Sequence, residues 1–549
     1  MTELLSGGVD AAGGLSVYGA DTVDRSAPAS SRAALMANGV PGRLADKDST
    51  LWGPEAQEEA KIRLGWIDTF RRSRELLPQL AELTDELADL DHIVLAGMGG
   101  SSLAPEVIAR TLGRPLTVLD TTDPGQVRAA LADRLDRTVV VVSSKSGSTV
   151  ETDSHRRAYW QAFLDSGLTE AEAGRRFVVV TDPGSPLEAT ATEMGAFVVL
   201  ADPDVGGRYS ALTAFGLVPA ALIGVEVIEL LDDADAVADS LSRDRDNPGL
   251  ALGAALGTAA TMGRDKLTLV SDGTGIDGLG DWIEQLVAES TGKGGVGILP
   301  VVVESPTSPG VRGRNVLTVT YGGALPAGNV PGGGVDPDIA VNGPLGAQFL
   351  TWEYATAIAG VVLGIDPFNQ PNVTESKENT NRILQSGPPT EAPTAVEGAV
   401  EVYAPDGAPT DLAGALQWLV NGLVDDGYLA VMAYLDRLAD ADAAQLRAAL
   451  AALTDRPVTF GWGPRFLHST GQYHKGGPQL GSFLQITGAV TDDLPVPGRP
   501  YSFGELQAAQ AAGDREALNR RDRPMLRLHL TDRAAGIGQL LDAVRNLPS

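Results

Sequence analysis

The chain has 549 residues, with 42 Lys and Arg against 71 Asp and Glu, a formal charge of −29, no Cys and 43% hydrophobic residues. That composition is globular. The acid excess argues against a nucleic-acid partner, whose phosphates require a surplus of Lys and Arg, and the lack of Cys excludes disulfides, thiol nucleophiles and thiolate metal sites.

The amino terminus lacks a basic start followed by an apolar run, and no stretch approaches about 18 uninterrupted apolar residues. Neither a signal peptide nor membrane association is expected, and the chain reads as cytoplasmic. Residues 1–54, rich in Gly, Ser and Ala with weak periodicity, read as a loosely structured arm. A helical pattern follows over about 55–87, where Ile62, Trp66, Ile67 and Phe70 recur at three- and four-residue spacing.

Between 92 and 205 short β-branched runs alternate with helical stretches: HIVLAG at 92–97, LTVLD at 116–120, TVVVVSS at 138–144, FVVVTD at 177–182 and FVVLAD at 197–202. Continuous apolar runs suit strands covered on both faces, and their alternation with helices predicts a doubly wound parallel sheet in an α/β fold. A second cycle, with LTLVSD at 267–272, ILPVVVE at 298–304, NVLTVTY at 315–321, VEVYAP at 400–405 and PVTFGW at 457–462, predicts a second, larger α/β domain. The expected division is an arm over 1–54, a first domain over 55–225 and a second over 226–549. The Gly- and Pro-rich segment 322–346 reads as a long loop, and 354–365 and 412–424 read as buried or amphipathic helices.

Ligands of such sheets sit beyond the carboxyl ends of the strands, so chemistry is sought there. GMGGSSLAPE at 97–106 follows the first strand; Gly97, Gly99 and Asp120 fit a dinucleotide fingerprint loosely, with Ser102 in the place of its third Gly. SSKSGSTVET at 143–152 crowds Ser144, Ser146, Ser148 and Thr149 around Lys145, which suits either a phosphate or a plain helix cap. Two hydroxyl-rich strand ends in one sheet favour a phosphate pocket over a nicotinamide fold. DVGGRYS at 204–210 sets Gly206 and Gly207 before Arg208, a cation able to stabilise an oxyanion.

In the helix GLGDWIEQLVAESTGKGG at 278–295, Gln285 and Glu289 lie one turn apart at the edge of an apolar stripe. Burial beside Trp282 and the helix carboxyl end should favour the protonated form of Glu289 and tune it as a general base. GWGPRFLHSTGQYHKGGP at 461–478 gathers His468, Gln472, His474 and Lys475, and proton transfer or phosphate contact suits this loop better than a metal, because it carries no Asp, Glu or Cys.

The ordered set GMGGSSLAP, SKSGSTVET, GGRYS, EQLVAESTGK and DPFNQPNVTESK resembles the glucose-6-phosphate isomerase family, above all the isomerase part of its transaldolase fusions. The resemblance implies two sugar-isomerase (SIS) domains, each an α-β-α sandwich, and an aldose–ketose isomerase of glycolysis and gluconeogenesis that interconverts glucose 6-phosphate and fructose 6-phosphate through a cis-enediol without cofactor or metal. It further implies that Gly100, Ser101, Ser144, Lys145, Ser146 and Thr149 cradle the phosphate, that Glu289 is the base, that Arg208 lies near the enediolate, that Gly207 and Gln285 contact substrate and that Lys475 helps open the sugar ring. A homodimer is the expected assembly. Ser146 and Thr291 stand where the family usually has Thr and Asn. The family's ring-opening His, in a GQH motif, has no counterpart in 342–355, where Gln348 is near its place. The expectation is that His468 or His474, with Lys475, takes over ring opening, or that the enzyme draws on open-chain sugar. A dual glucose and mannose 6-phosphate isomerase and a non-catalytic sugar-phosphate sensor are the alternatives.

Overall fold

The computed structural model describes residues 9–325, 336–387 and 391–548, apart from the side chains of 373, 374, 376 and 377. The fold is α/β, built on three sheets. In the first, the strands Thr117–Leu119, His92–Gly97, Thr138–Ser143, Phe177–Thr181 and Phe197–Leu200 lie side by side in that order, all parallel. These are the five runs expected from sequence. Val140, Val141, Val178 and Val179 are fully buried because helices cover both faces, among them Leu103–Thr111 and Ala214–Leu222 on one and Val150–Asp165 on the other.

This order reverses direction between His92–Gly97 and Thr138–Ser143, whose ends are paired Gly97 to Ser143. A reversal of strand order opens a crevice between the two connecting helices, and ligands of open parallel sheets bind there. The two motifs expected to grip phosphate therefore leave the sheet side by side.

The second sheet carries Ile339–Asn342, Val316–Gly322, Lys266–Ser271 and Leu299–Val302 in parallel. Its other edge is the hairpin of Val9–Ala12 and Leu15–Tyr18, which pairs antiparallel to Ile339–Asn342. The loosely structured arm is thus corrected: Leu15 and Val17 are fully buried in the same core as Leu250 and Ile358. Gly13 and Gly14, at φ of 55° and 78°, form the two-residue turn that a right-twisted hairpin needs. Residues 1–8 of that expected arm, and 326–335 of the expected long loop, lie outside the described residues. The rest of 322–346 is not loop throughout, because Ile339–Asn342 is a strand and the helix Leu345–Leu363 begins within it.

The third sheet, Ala395–Glu397, Val400–Tyr403, Met525–Leu530, Gly481–Gly488, Tyr428–Tyr434 and Val458–Trp462, is parallel across its last four strands. It has its own core, with Val431, Leu484 and Leu528 at its centre. The single larger domain expected over 226–549 is therefore two sheet layers. Among the described residues no helix is long and apolar enough to cross a membrane.

Candidate active site

A cavity of about 550 Å³ opens where the first sheet's reversal point, the Leu279–Thr291 helix and the third sheet's loops meet. Ten of the residues expected from sequence line it: Gly100, Ser101, Lys145, Ser146, Thr149, Gly207, Arg208, Gln285, Glu289 and His468.

On the side expected to hold phosphate, Gly99–Ser101 is a tight turn after the first strand. A Cβ on Gly100 would lie 1.8 Å from the carbonyl oxygen of Gly207, so this glycine lets the GGRY loop close down on the turn. Thr149 caps the Val150–Asp165 helix, but its hydroxyl makes no capping bond and pairs instead with the Ser144 hydroxyl at 2.9 Å. Ser144 is buried behind Thr149 and is not among the residues that line the cavity. Lys145 reaches forward, its Nζ 2.6 Å from Asp182 Oδ2 and 3.2 Å from the Pro203 carbonyl.

Across the cavity, the stripe of Leu279, Trp282, Ile283, Leu286 and Val287 seats the Leu279–Thr291 helix in the core. The helix stops at Gly292, where a Cβ would lie 2.5 Å from Tyr473 Cα. This leaves Glu289 in the last turn, 6% exposed, with Gln285 Nε2 donating to its Oε2 at 3.0 Å. The Arg208 guanidinium stands 3.7 Å from Oε1, a countercharge that the sequence reading of Glu289 did not include. Arg208 is itself fixed: Nε donates to Ser290 Oγ (2.8 Å), Nη1 to Gln370 Oε1 (2.9 Å) and Nη2 to the Pro367 carbonyl (2.6 Å).

Sequence reasoning quoted the DPFNQPN stretch but missed what it does. Phe368, Asn369, Gln370 and Pro371 form a wall of the cavity. Buried Lys293, from the STGKGG run, anchors that wall by donating to the carbonyls of Asp366 (2.7 Å) and Asn369 (2.6 Å). Burial, with Arg208 adding to it, pushes the Lys293 ammonium well below its ordinary pKa. A lone Lys in the otherwise uncharged STGKGG run was the available signal.

The fourth side comes from the third sheet. The short turn Arg465–His468 follows its strand Val458–Trp462 and brings the imidazole to the cavity, where His468 Nε2 donates to Glu151 Oε1 at 3.0 Å. Gln510 Nε2 also donates to that carboxylate oxygen, at 2.7 Å. The segment is clamped by Arg465, whose Nη1 lies 2.6 Å from Glu106 and 2.5 Å from Asp120. Although burial acts to raise it, the Glu106 carboxyl is held down at about 2 by Arg465 and Arg437.

His474 and Lys475 do not reach the cavity. His474 Nδ1 meets the Tyr428 hydroxyl at 3.0 Å beside the core shared by the second and third sheets, and burial lowers its pKa to about 3. Lys475 Nζ is paired with Asp514 at 2.7 Å, both side chains buried. The structure does not bring His474 and Lys475 together with the other expected site residues: both sit on the helix Gly471–Gly476, whereas His468 lies on the preceding turn. Gln348 is equally remote, donating to the Gly322 carbonyl at 2.9 Å.

Residues 84–315 match the family model described as phosphoglucose isomerase. Over 219 residues the chain is 34% identical to a probable glucose-6-phosphate isomerase of Haloarcula marismortui, covering 39% of this chain and 50% of the relative. Over 261 residues it is 30% identical to the glucose-6-phosphate isomerase of Carboxydothermus hydrogenoformans, covering 43% of this chain and 55% of the relative. The chain spans about half the length of the curated relatives it matches. Its fold resembles the crystal structure of a glucose-6-phosphate isomerase from Chlamydia trachomatis, with a TM-score of 0.55 and 18% identity over 70% of this chain and 91% of that one. Residues 84–315 of this chain are thus similar to the phosphoglucose isomerase family.

Proposed function

We propose that the chain is a cytoplasmic aldose–ketose isomerase interconverting glucose 6-phosphate and fructose 6-phosphate, with the catalytic residues drawn from all three sheet units. The observation that carries this reading is one cavity with a buried carboxylate, Glu289, on one wall and the Lys145, Ser146 and Thr149 loop on another.

The phosphate docks on that loop, and its binding energy orients the reacting carbons toward Glu289. His468, its Nε2 held by Glu151, offers Nδ1 for proton exchange with the ring oxygen and so assists opening. The Glu289 carboxylate takes the proton from C2 of the open aldose, the electron pair moves to form the C1–C2 double bond, and the carbonyl oxygen gains negative charge as the enediolate forms. Arg208, pinned by Ser290 and the 367–370 wall, faces that charge. Glu289, its proton open to exchange with solvent, protonates C1 while the O2 hydroxyl proton passes to O1, giving the ketose. Proton movement between adjacent carbons is redox-neutral over the whole molecule, so the step draws on no external oxidant or cofactor.

Purified protein with fructose 6-phosphate should form glucose 6-phosphate, and in deuterium oxide should place deuterium at C2. Glu289→Gln should lower kcat by about 10²- to 10⁴-fold. Undiminished turnover in that variant would remove Glu289 as the base.

A further inference from the structure

The cavity's cations are not equivalent. Arg208 spends its guanidinium on protein oxygens of Ser290, Pro367, Asn369 and Gln370. Two others stand at the phosphate side with looser ties. Lys145 belongs to the phosphate loop. Arg63, just beyond the short helix Gln57–Lys61, approaches the same place from outside the matched family segment. Each donates to the same carbonyl, that of Pro203, at 3.2 Å. Each also holds one cavity-lining carboxylate, Arg63 Nε to Glu59 Oε1 at 2.8 Å and Lys145 Nζ to Asp182 Oδ2 at 2.6 Å.

We propose that Arg63 is the second cation of the phosphate subsite, held in reserve by Glu59 until a phosphate monoester arrives. This rests on the reading of the cavity as a sugar-phosphate site. A monoester is close to dianionic at neutral pH, and one lysine against Asp182 leaves no net positive charge beside the serine-rich loop. A guanidinium presents a planar fork that matches two phosphate oxygens, whereas the lysine ammonium supplies a point charge. Both side chains are partly exposed, 25% for Arg63 and 34% for Glu59, so their mutual pairing is weak and exchangeable. Burial raises the pKa of Asp182 while Lys145 and Arg63 both oppose that rise, which places Arg63 within the same local field as the phosphate lysine.

The test titrates the full chain with inorganic phosphate by calorimetry. Arg63→Gln should weaken binding about tenfold, Arg63→Lys should recover part of the loss, and Glu59→Gln should tighten binding by releasing the guanidinium. Tightening is a gain that misfolding cannot produce. Native affinity in Arg63→Gln, weakening in both Arg63→Gln and Glu59→Gln as a simple brace would give, or no phosphate binding by the native chain would overturn the assignment. Turnover of fructose 6-phosphate, measured on the same preparations, reports separately on the isomerase: this order of phosphate affinities in a chain without turnover would leave Arg63 in place and remove the reaction.

Discussion

The first and second sheets each send out a small-residue loop at the end of a central parallel strand, Ser144–Lys145–Ser146–Gly147–Ser148 after Thr138–Ser143 and Asp272–Gly273–Thr274–Gly275 after Lys266–Ser271. Their local grammar is the same and their electrostatics are opposite. The first sends Lys145 and its hydroxyls into the cavity. In the second, Asp272 Oδ1 accepts from the Thr274 amide at 2.8 Å and from its hydroxyl at 2.5 Å, while Oδ2 accepts from Asn342 at 2.7 Å. That loop closes on itself and carries negative charge. A strand end in a parallel sheet supplies a place for a ligand, and the side chains decide whether an anion can use it. The first loop is also roofed, by the His468 segment of the third sheet.

The roof offers the largest effect. Arg465→Met would leave Glu106 and Asp120 buried without one of their cations, at a cost of about 3–5 kcal/mol, and chemical denaturation should show it together with loss of turnover. Lys145→Met should raise KM for fructose 6-phosphate about 10- to 100-fold, because it removes a charge-assisted contact to the phosphate. Asp272→Ala is the matching change in the second sheet. It should cost about 1–3 kcal/mol of stability through its lost hydrogen bonds and leave KM within twofold of native; a KM shift as large as that of Lys145→Met would erase the distinction between the loops.

The smallest effect concerns pH. Glu284, beside the roof through Ser469 Oγ at 3.3 Å, has its pKa raised to about 8 by burial, with Asp281 adding to the shift. Its ordinary value is 4.5, so between 4.5 and 8 the folded state holds a proton that the unfolded chain has released. Stability should therefore fall as pH rises through that window. Glu284→Gln should flatten the fall, seen by comparing Tm at pH 5 and pH 8.5; an unchanged slope would show that Glu284 titrates normally in the folded state.

The strands of the first sheet were legible because each is a run of β-branched residues covered on both faces, and their order then set the two phosphate motifs side by side. The edge hairpin was not legible in the same way. Its strands are four residues each, and its partner, Ile339–Asn342, lies more than 300 residues away in sequence, as in the pairing of Tyr18 with Ala340. The paired glycines between AA and LSVY were the available signal. Strand patterns also cannot report which sheet a strand joins, so the runs at 400–405 and 457–462 were assigned to the second domain and not to a third sheet. Within the site, residue type identified Glu289, Arg208 and Lys145. Closeness in sequence misled for Lys475 and His474, because six or seven residues along a turn and a short helix suffice to change sides of a packed layer.

The edge hairpin has a practical consequence for anyone shortening this chain. A fragment cut to the matched segment 84–315 would lose the strands Val316–Gly322 and Ile339–Asn342 together with the hairpin at their edge. The flank of Lys266–Ser271 that pairs with Val316–Gly322 would then be an open row of unpaired amides and carbonyls, a template for association with other copies. Such a fragment would also lack the Leu345–Leu363 helix that packs on Trp282 through Phe349. The region defined by sequence similarity is thus smaller than the unit that folds, and truncations meant to isolate it are expected to aggregate.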